Sequence, residues 1–487
     1  MLARWMRTTR ENRCPEPPGR CDKRGWWALV RIVAAALAVA VGLASLMAVP
    51  ATAAAKAQVV ERAYVTNIVT GSVSVIDTAT NMVIATVPVG TEPIAVAVTP
   101  NGARAYVANN VSNNVSVIDT GTNTVIATIP VGGGPFGVAI TPNGTRAYVT
   151  NSGSNDVSVI DTATNMVIAT IPLGAGTQPI GVAITPNGTR AYVTDFGGAS
   201  NSVSVIDTTT NTVIATVPVG SQPFGVAITP NGTRAYVTNE NSTTVSVIDT
   251  ATNIVIATIT VGNSPAGVAI TPDGTRAYVA NLNSNTTVSV IDTTTNMVIA
   301  TVTVGTNPIG VAITSDGTRA YVTNVNSNNV SVIDTATNTV IDTIPMGTRP
   351  YGVAIGRVVM GASTTTVTAS PNPARAGQAV TLTAHITCTM GTPTGTVEFF
   401  DGTTSLGTAT VSGGTATLTV RNLAPGDHQI TATYSGDANC SGSTSPPITL
   451  TIKPRPRHHP GTHVEDHTGN SSHTSHTSHT AISVKLS

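Results

Sequence analysis

Seven aspartates recur along the chain at intervals of 42 to 46 residues, each at the end of a VID motif. They are Asp77, Asp119, Asp161, Asp207, Asp249, Asp292 and Asp334. Seven arginines recur in the same rhythm: Arg62, Arg104, Arg146, Arg190, Arg234, Arg276 and Arg319. A ring of carboxylates could bind a metal ion. We favour turn capping or pairing with arginine, because the strand that each aspartate ends is predicted to lie far from the axis of the repeats.

Catalytic chemistry finds little support in the repeats. Residues 61–356 contain no His, Cys or Lys. Metal ligation through nitrogen or sulfur is therefore absent, and the many hydroxyls have no residue that normally activates them as nucleophiles. A mechanism that uses only carboxylates, with Glu92, Asp195 or Glu240, remains open. Because the units are nearly identical, we predict that the protein is not an enzyme and needs no cofactor.

Each repeat reads as four short strands joined by turns. One unit runs through FGVAIT (136–141), RAYVTN (146–151), VSVID (157–161) and MVIATIPL (166–173). Asn-Gly in TPNGT predicts a tight hairpin, and Asp with Thr in DTATN predicts a second turn. GVAI has the smallest side chains and is predicted to be innermost, whereas the proline in the fourth strand places it at the outer edge. Seven such units predict a seven-bladed β-propeller.

The two ends of the repeat array are incomplete in a complementary way. The chain enters with the last three strands of a unit and leaves with a single first strand at residues 350–355. The two ends are predicted to complete one blade. Deleting residues 351–355 should therefore destabilise the whole propeller.

The repeated segments AYVTN (147–151), SVIDTATN (158–165) and PFGVAITPNGTRAYV (135–149) resemble the YVTN-family β-propeller repeat of prokaryotic secreted and cell-surface proteins. The resemblance extends over about 295 residues. It implies a propeller fold. Relatives include surface-layer proteins, and some related propellers are lactonases or lyases, so it implies the fold more strongly than the function.

Length variation among the repeats is confined to two kinds of connection, as in LGAGTQP, DFGGASNS and NLNSNTT. Both kinds are predicted to emerge on one face, and binding usually resides in loops on a rigid scaffold. The predicted ligand-binding residues are Gln178, Asp195, Phe196, Asn201 and Glu240, with Glu92 and Arg349 as lesser candidates. The expected partner is an unknown extracellular protein or glycan. The alternative is neutral drift in tolerant loops.

A second module follows the repeats. Alternating apolar residues and short strands over residues 363–452 predict an Ig-like β-sandwich. PTGTVEFFDG, LGTATVSGGTATLTV and ATYSGDANCSGS resemble the bacterial Ig-like repeat of exported surface proteins, which implies a spacer or adhesion role. Cys388 and Cys440 are an even pair, and in an oxidising compartment they are predicted to form a disulfide. Two unpaired thiols are the alternative.

The chain termini have a different composition. Residues 1–55 combine a basic leader with an apolar run and small residues, which indicates a signal peptide or an N-terminal membrane segment. Without them, 16 Lys and Arg face 21 Asp and Glu, which argues against a nucleic-acid partner. The tail, residues 453–487, is predicted to be disordered. Its His459, His463 and His467 could bind a divalent metal, or the tail could be merely polar.

These features predict an all-β protein, a seven-bladed β-propeller (59–357) followed by an Ig-like β-sandwich (363–452). We expect a secreted or cell-surface binding or adhesion protein associated with the cell envelope, membrane-anchored if the leader is uncleaved. Two alternatives remain open: an extracellular lactonase-like hydrolase or lyase, and a structural component of the envelope.

Overall fold

The computed structural model describes residues 58–197, 201–284 and 286–455. Within these ranges the chain is built of β-strands, with one short 3-10 turn at Leu282–Ser284 and no α-helix. No helix in this part is long and apolar enough to cross a membrane. The predicted leader and residues 456–487 of the predicted tail, with His459, His463 and His467, lie outside the described residues. Lys453, where the tail was predicted to begin, instead ends the last strand of the described chain.

Seven four-stranded sheets form the blades, and their strands are as follows. Blade 1 contains β1 (Val59–Asn67), β2 (Ser72–Asp77), β3 (Met82–Pro88) and β28 (Pro350–Val359). Blade 2 contains β4 (Pro93–Val98), β5 (Arg104–Asn109), β6 (Asn114–Asp119) and β7 (Thr124–Pro130). Blade 3 contains β8 (Pro135–Ile140), β9 (Arg146–Asn151), β10 (Asp156–Asp161) and β11 (Met166–Pro172). Blade 4 contains β12 (Pro179–Ile184), β13 (Arg190–Asp195), β14 (Ser202–Asp207) and β15 (Thr212–Pro218).

The remaining blades repeat the pattern. Blade 5 contains β16 (Pro223–Ile228), β17 (Arg234–Asn239), β18 (Thr244–Asp249) and β19 (Ile254–Thr260). Blade 6 contains β20 (Pro265–Ile270), β21 (Arg276–Asn281), β22 (Thr287–Asp292) and β23 (Met297–Thr303). Blade 7 contains β24 (Pro308–Ile313), β25 (Arg319–Asn324), β26 (Asn329–Asp334) and β27 (Thr339–Pro345).

The inner strands close a ring around the central axis. Within blades 2 to 7 the four strands pair in sequence order. The first strands of neighbouring blades contact one another in the cycle β28, β4, β8, β12, β16, β20 and β24. The GVAI strand is therefore innermost, as its small side chains predict. The seven-bladed propeller predicted from the repeat is confirmed.

Blade 1 is assembled from both ends of the repeat array. Strand β28 pairs antiparallel with β1, from Val59 opposite Val359 to Asn67 opposite Pro350. β28 has 10 residues, whereas the inner strands of the other blades have 6, so it continues past the blade toward the second domain. Closure of the ring therefore depends on noncovalent pairing of two distant segments.

The repeated aspartates cap turns. In blade 3 the Asp161 carboxylate accepts hydrogen bonds from the Ala163 N–H at 3.0 Å and from the Thr164 N–H at 2.8 Å. The bonds from Thr164 hold the pKa of Asp161 below its usual value. Among the described residues no group of three or more His, Cys, Asp or Glu is placed to hold a metal ion. Turn capping thus accounts for the aspartate ring.

The repeated arginines and tyrosines form hydrogen bonds that join each blade to the next. Arg146 donates to the Thr208 carbonyl at 2.7 Å, and the buried Tyr148 hydroxyl donates to Asn211 Oδ1 at 2.8 Å. The equivalent tyrosine bonds join Tyr106 to Asn165, Tyr192 to Asn253, Tyr236 to Asn296, Tyr278 to Asn338 and Tyr321 to Asn81. These side chains have a structural role, because each bond crosses between neighbouring blades.

The glycine of the inner strand allows close packing at the axis. A Cβ on Gly225 would lie 2.4 Å from the Ala266 carbonyl oxygen in the next blade. Thr238 donates to the same carbonyl at 2.5 Å, and its hydroxyl accepts the Gly225 N–H at 2.8 Å. Glycine is needed here because any side chain would push the inner strands apart.

The second domain is a sandwich of two sheets. Its strands are β29 (Ser363–Ser370), β30 (Ala374–Arg375), β31 (Val380–Cys388), β32 (Thr396–Asp401), β33 (Thr404–Thr410), β34 (Thr415–Val420), β35 (Gly426–Tyr434), β36 (Ser443–Thr444) and β37 (Ile448–Lys453). One sheet has the order β29, β31, β34, and the other contains β37, β35, β32 and β33 with the short strands β30 and β36. The strands pair antiparallel, except for the parallel pair β30 and β37. Leu382, Phe399 and Leu450 are fully buried between them. Cys388 and Cys440 form a disulfide, with Cα atoms 6.0 Å apart.

Candidate ligand-binding site at the loop face

One face of the propeller carries the connections from second to third strands and those between blades, and we call it the loop face. The axial cavity that extends inward from this face has a volume of about 190 Å³. Apolar side chains from the second position of the inner strands line it: Ile94, Phe136, Ile180, Phe224, Ile309 and Tyr351. The rest of its lining is Gly, Ala and Val from the same strands.

Aromatic rings gather where this cavity opens onto the loop face. Phe136 contacts Phe224 edge to face with ring centroids 5.7 Å apart, and Tyr351 with centroids 6.0 Å apart. Phe196, in the loop after β13, contacts Phe224 at 6.2 Å. These are all the phenylalanines of the propeller, and Tyr351 is its one tyrosine outside the repeated AYV motif. We call Phe136, Phe196, Phe224 and Tyr351 the aromatic mouth.

A second ring of side chains follows the second strand of each blade. Its members are Ile68, Asn110, Ser152, Phe196, Glu240, Leu282 and Val325. Their N–H groups bond to turn carbonyls in the preceding connection, as from Glu240 to Gln222 at 2.9 Å. The two kinds of variable connection therefore meet on one face. Glu240 is the one ionisable residue at this position.

Two of the predicted binding residues, Phe196 and Glu240, lie in this second ring. Glu240 is half-buried, and that burial raises its pKa. Its side chain forms no hydrogen bond or ion pair with the described part of the chain. The negative charge of Glu240 also acts on Tyr351, whose pKa is raised first by burial and then by this charge. Glu240 occupies the position that Phe196 holds in the preceding blade, and Phe196 contacts Phe224 of the aromatic mouth.

Gln178 and Asn201 instead belong to the framework of the loops. Gln178 has a positive φ of 46°, the backbone state also found at Glu92 and Arg349 in the equivalent turns. Its N–H donates to Asn155 Oδ1 at 3.0 Å, and Asn201 accepts the Gln222 N–H at 3.1 Å. These residues hold the loops in place and do not project into the cavity lining.

Asp195 lies beneath the loop, with 1% of its surface exposed. Its Oδ2 accepts hydrogen bonds from Ser202 and Ser204, each at 2.9 Å, while Oδ1 has no partner among the described residues. The other blades have asparagine here, as in the bond from Asn151 to Ser158 at 2.9 Å. Burial raises the pKa of Asp195 to about 6. Asp195 therefore lies below the loop surface, and its predicted part in ligand binding stays a prediction.

Sequence reasoning missed Phe136, Phe224 and Tyr351. The available signal was the position before GVAI, which holds Ile, Phe, Ala or Tyr while the following residues barely change. Comparing the repeats at that position would have found the mouth. The length of the loops, which guided the prediction, identified the face but not the residues.

Two family models match parts of the chain. The bacterial Ig-like domain (group 3) model matches residues 367–453, and the choice-of-anchor I domain model matches residues 176–363. None of the curated proteins matches the chain. Both matched domains indicate an exported or cell-surface protein.

Solved structures of low sequence identity share the fold. Hydrazine synthase from Kuenenia stuttgartiensis aligns with a TM-score of 0.51 and 22% identity, over 55% of this chain and 95% of that one. A protein of unknown function from Desulfotomaculum acetoxidans aligns with a TM-score of 0.54 and 18% identity, over 61% of this chain and 99% of that one. A proposed 6-phosphogluconolactonase from Bacteroides uniformis aligns with a TM-score of 0.53 and 17% identity, over 61% of this chain and 99% of that one. Such likeness shows the fold alone. The chain is thus a β-propeller protein with a C-terminal bacterial Ig-like domain.

Proposed function

We propose that this protein is a secreted or cell-surface binding protein without catalytic activity, and that the aromatic mouth is its binding site. The partner is an extracellular protein or glycan that presents an apolar group. The observation that carries the proposal is that three of the four non-repeat aromatic residues of the propeller line one cavity of about 190 Å³, while the fourth, Phe196, contacts one of them. Small ligand sites are typically concave and lined by apolar and aromatic side chains.

The hydrolase alternative requires a carboxylate cluster at the channel mouth. None of the described residues that line the cavity is acidic. Asp195 is buried under Ser202 and Ser204, and Glu240 stands in a different blade. This distribution favours binding over hydrolysis.

Replacing Phe224 with serine is expected to weaken binding at the mouth by roughly tenfold, because an aromatic contact worth about 1.4 kcal/mol is lost. The probes are cyclohexanol, followed by saturation-transfer NMR, and an array of immobilised glycans. Ile168→Ser is the matched control, because Ile168 is 50% exposed on an outer strand.

The control variant should bind like the wild type. If neither cyclohexanol nor any glycan binds, or if Phe224→Ser binds as well as Ile168→Ser, the mouth is not the binding site. A structural role in the envelope would then account better for the symmetric blades.

A further inference from the structure

Glu240 is a carboxylate on the loop face, at the position that Phe196 holds in the preceding blade beside Phe224. Its side chain is half-buried, and no cation of the described residues bonds to it. The positive charge of Arg349 lowers the pKa of Tyr351 and so opposes the effect of Glu240. The Arg349 side chain is exposed and forms no ion pair with Glu240 in the described part of the chain. A carboxylate that is partly removed from water without a partner is costly unless a ligand supplies the opposite charge.

The neighbouring rings suit the same kind of ligand. The face of an aromatic ring attracts a cation, and this attraction strengthens where water is excluded. Phe136, Phe224 and Tyr351 approach one another edge to face, and their remaining surfaces line the cavity. An alkylammonium group presents both methyl groups for an apolar cavity and a positive charge for Glu240.

We propose that the aromatic mouth recognises a small organic cation of the alkylammonium class, with Glu240 as the charge partner. This deepens the proposed function and rests on it. The rings supply apolar and cation–π contact, and Glu240 selects the charged ligand over an uncharged one of the same shape.

Choline and dimethylbutanol, its uncharged carbon isostere, are the probes for this site. Calorimetry or ligand-observed NMR on the full chain should show choline binding roughly tenfold tighter than the isostere. Glu240→Gln should reduce that preference to about one and leave isostere binding unchanged. Asp342→Asn, which removes an exposed acid from the outer strand of blade 7, should behave like the wild type.

The possible outcomes separate the two proposals. Equal affinity for choline and dimethylbutanol in the wild type would overturn the cation inference and leave the apolar site intact. Unchanged choline preference in Glu240→Gln would overturn it too. If neither probe binds and Phe224→Ser changes nothing in the earlier assay, both proposals fail.

A separate set of contacts forms the junction between the propeller and the Ig-like domain, which lies where blades 1 and 2 meet. The side-chain hydrogen bonds between these two blades differ from those between the other pairs of neighbouring blades. Arg62 is 1% exposed and donates to the Thr120 carbonyl at 3.1 Å and to the Ala438 carbonyl of the Ig-like domain. The Tyr64 hydroxyl has no hydrogen-bond partner within the described ranges, and the amides of Asn123 and Asn439 are in contact at 3.1 Å.

The Asp-capped turn of blade 2, which takes part in this junction, also departs from the repeat sequence. Six turns have Ala79, Ala163, Thr209, Ala251, Thr294 or Ala336 two residues after the capping aspartate, and the seventh has Gly121. A Cβ on Gly121 would lie 2.6 Å from Met390 Cε of the Ig-like domain. Glycine therefore occurs at the one turn where the second domain needs the space.

The connection between the domains is short and bonded on both sides. Only residues 360–362 separate β28 from β29. The Met360 N–H donates to the Gln58 carbonyl and the Gly361 N–H to the Asn439 carbonyl, both at 2.8 Å. The disulfide joins the segment of Asn439 to the segment of Met390, so both docking segments are covalently linked.

We infer that the Ig-like domain is fixed against the face of the propeller that carries the Asp-capped turns, opposite the loop face, and that it locks the ring at the junction of blades 1 and 2. Gly121→Phe should displace it, and Ala163→Phe, at an exposed equivalent position, is the matched control. We expect proteolysis at residues 360–362 to accelerate roughly tenfold in Gly121→Phe alone. Small-angle scattering should show a broader distribution of domain orientations in the same variant.

A Gly121→Phe protein with wild-type scattering and wild-type proteolysis would overturn this inference. If that variant does not fold, reduction of the disulfide in the wild-type chain serves as the second measurement. Reduction should increase amide exchange at residues 438–441. Unchanged exchange there would likewise count against a fixed joint.

Discussion

A propeller that ends at Arg349 is expected to lose its cooperative thermal unfolding, whereas one that ends at Met360 keeps it. The two chains differ by β28 (Pro350–Val359), which pairs with β1 and contacts β24 and β4 on either side. Without it, blade 1 has three strands and the ring of inner strands is open. Domains of this size are stable by about 5–15 kcal/mol, and we expect this loss to cost about 5 kcal/mol or more.

Differential scanning calorimetry compares the two truncated chains directly, and both lack the Ig-like domain. The chain that ends at Met360 is therefore the control for removing the second domain. Similar melting temperatures and enthalpies for the two chains would show that the pairing of β28 with β1 does not close the ring.

Asp195→Asn is expected to stabilise the protein by about 3 kcal/mol at neutral pH, since burial raises the pKa of Asp195 from its ordinary value of 3.8 to about 6. A carboxyl whose pKa is higher in the folded state is most favourable to folding when it is protonated. Its contribution is therefore largest below about pH 4 and falls as the pH rises toward 6. The gain from Asp195→Asn should shrink to nearly zero in acid.

Asn239→Asp is the converse change at the equivalent position of blade 5, where Asn239 donates to Ser246 at 3.0 Å. It should destabilise the chain at pH 7 and have little effect below pH 4. Denaturant unfolding of the three chains at several pH values measures both effects. A stabilisation by Asp195→Asn that does not depend on pH would mean that Asp195 is not a buried charge.

Some features of the protein were legible in the sequence because they depend on neighbouring residues. Turn chemistry is local, so Asn-Gly in TPNGT and the capping Asp of DTATN predict hairpins without knowledge of the rest of the fold. The small side chains of GVAI predict the innermost strand for a similar reason. A sevenfold repeat of these local rules determines the propeller, the two-ended blade 1 and the separate Ig-like module.

The aromatic mouth was decided only by the tertiary structure. Phe136, Phe224 and Tyr351 stand in three different blades, and they meet because closure of the ring brings every inner strand to the axis. Side-chain direction at Asp195 follows in the same way from the pairing of β13 with β14, which turns the carboxylate toward Ser202 and Ser204 and away from the surface.

The sequence by itself therefore determined the blades, their order and the face on which the loops vary, since each follows from short-range pattern and repetition. The tertiary structure decided which side chains share the mouth, how deep Asp195 lies and that Gly121 faces Met390. These are contacts between residues far apart in the chain, and their identity depends on ring closure and domain docking, which no local pattern encodes.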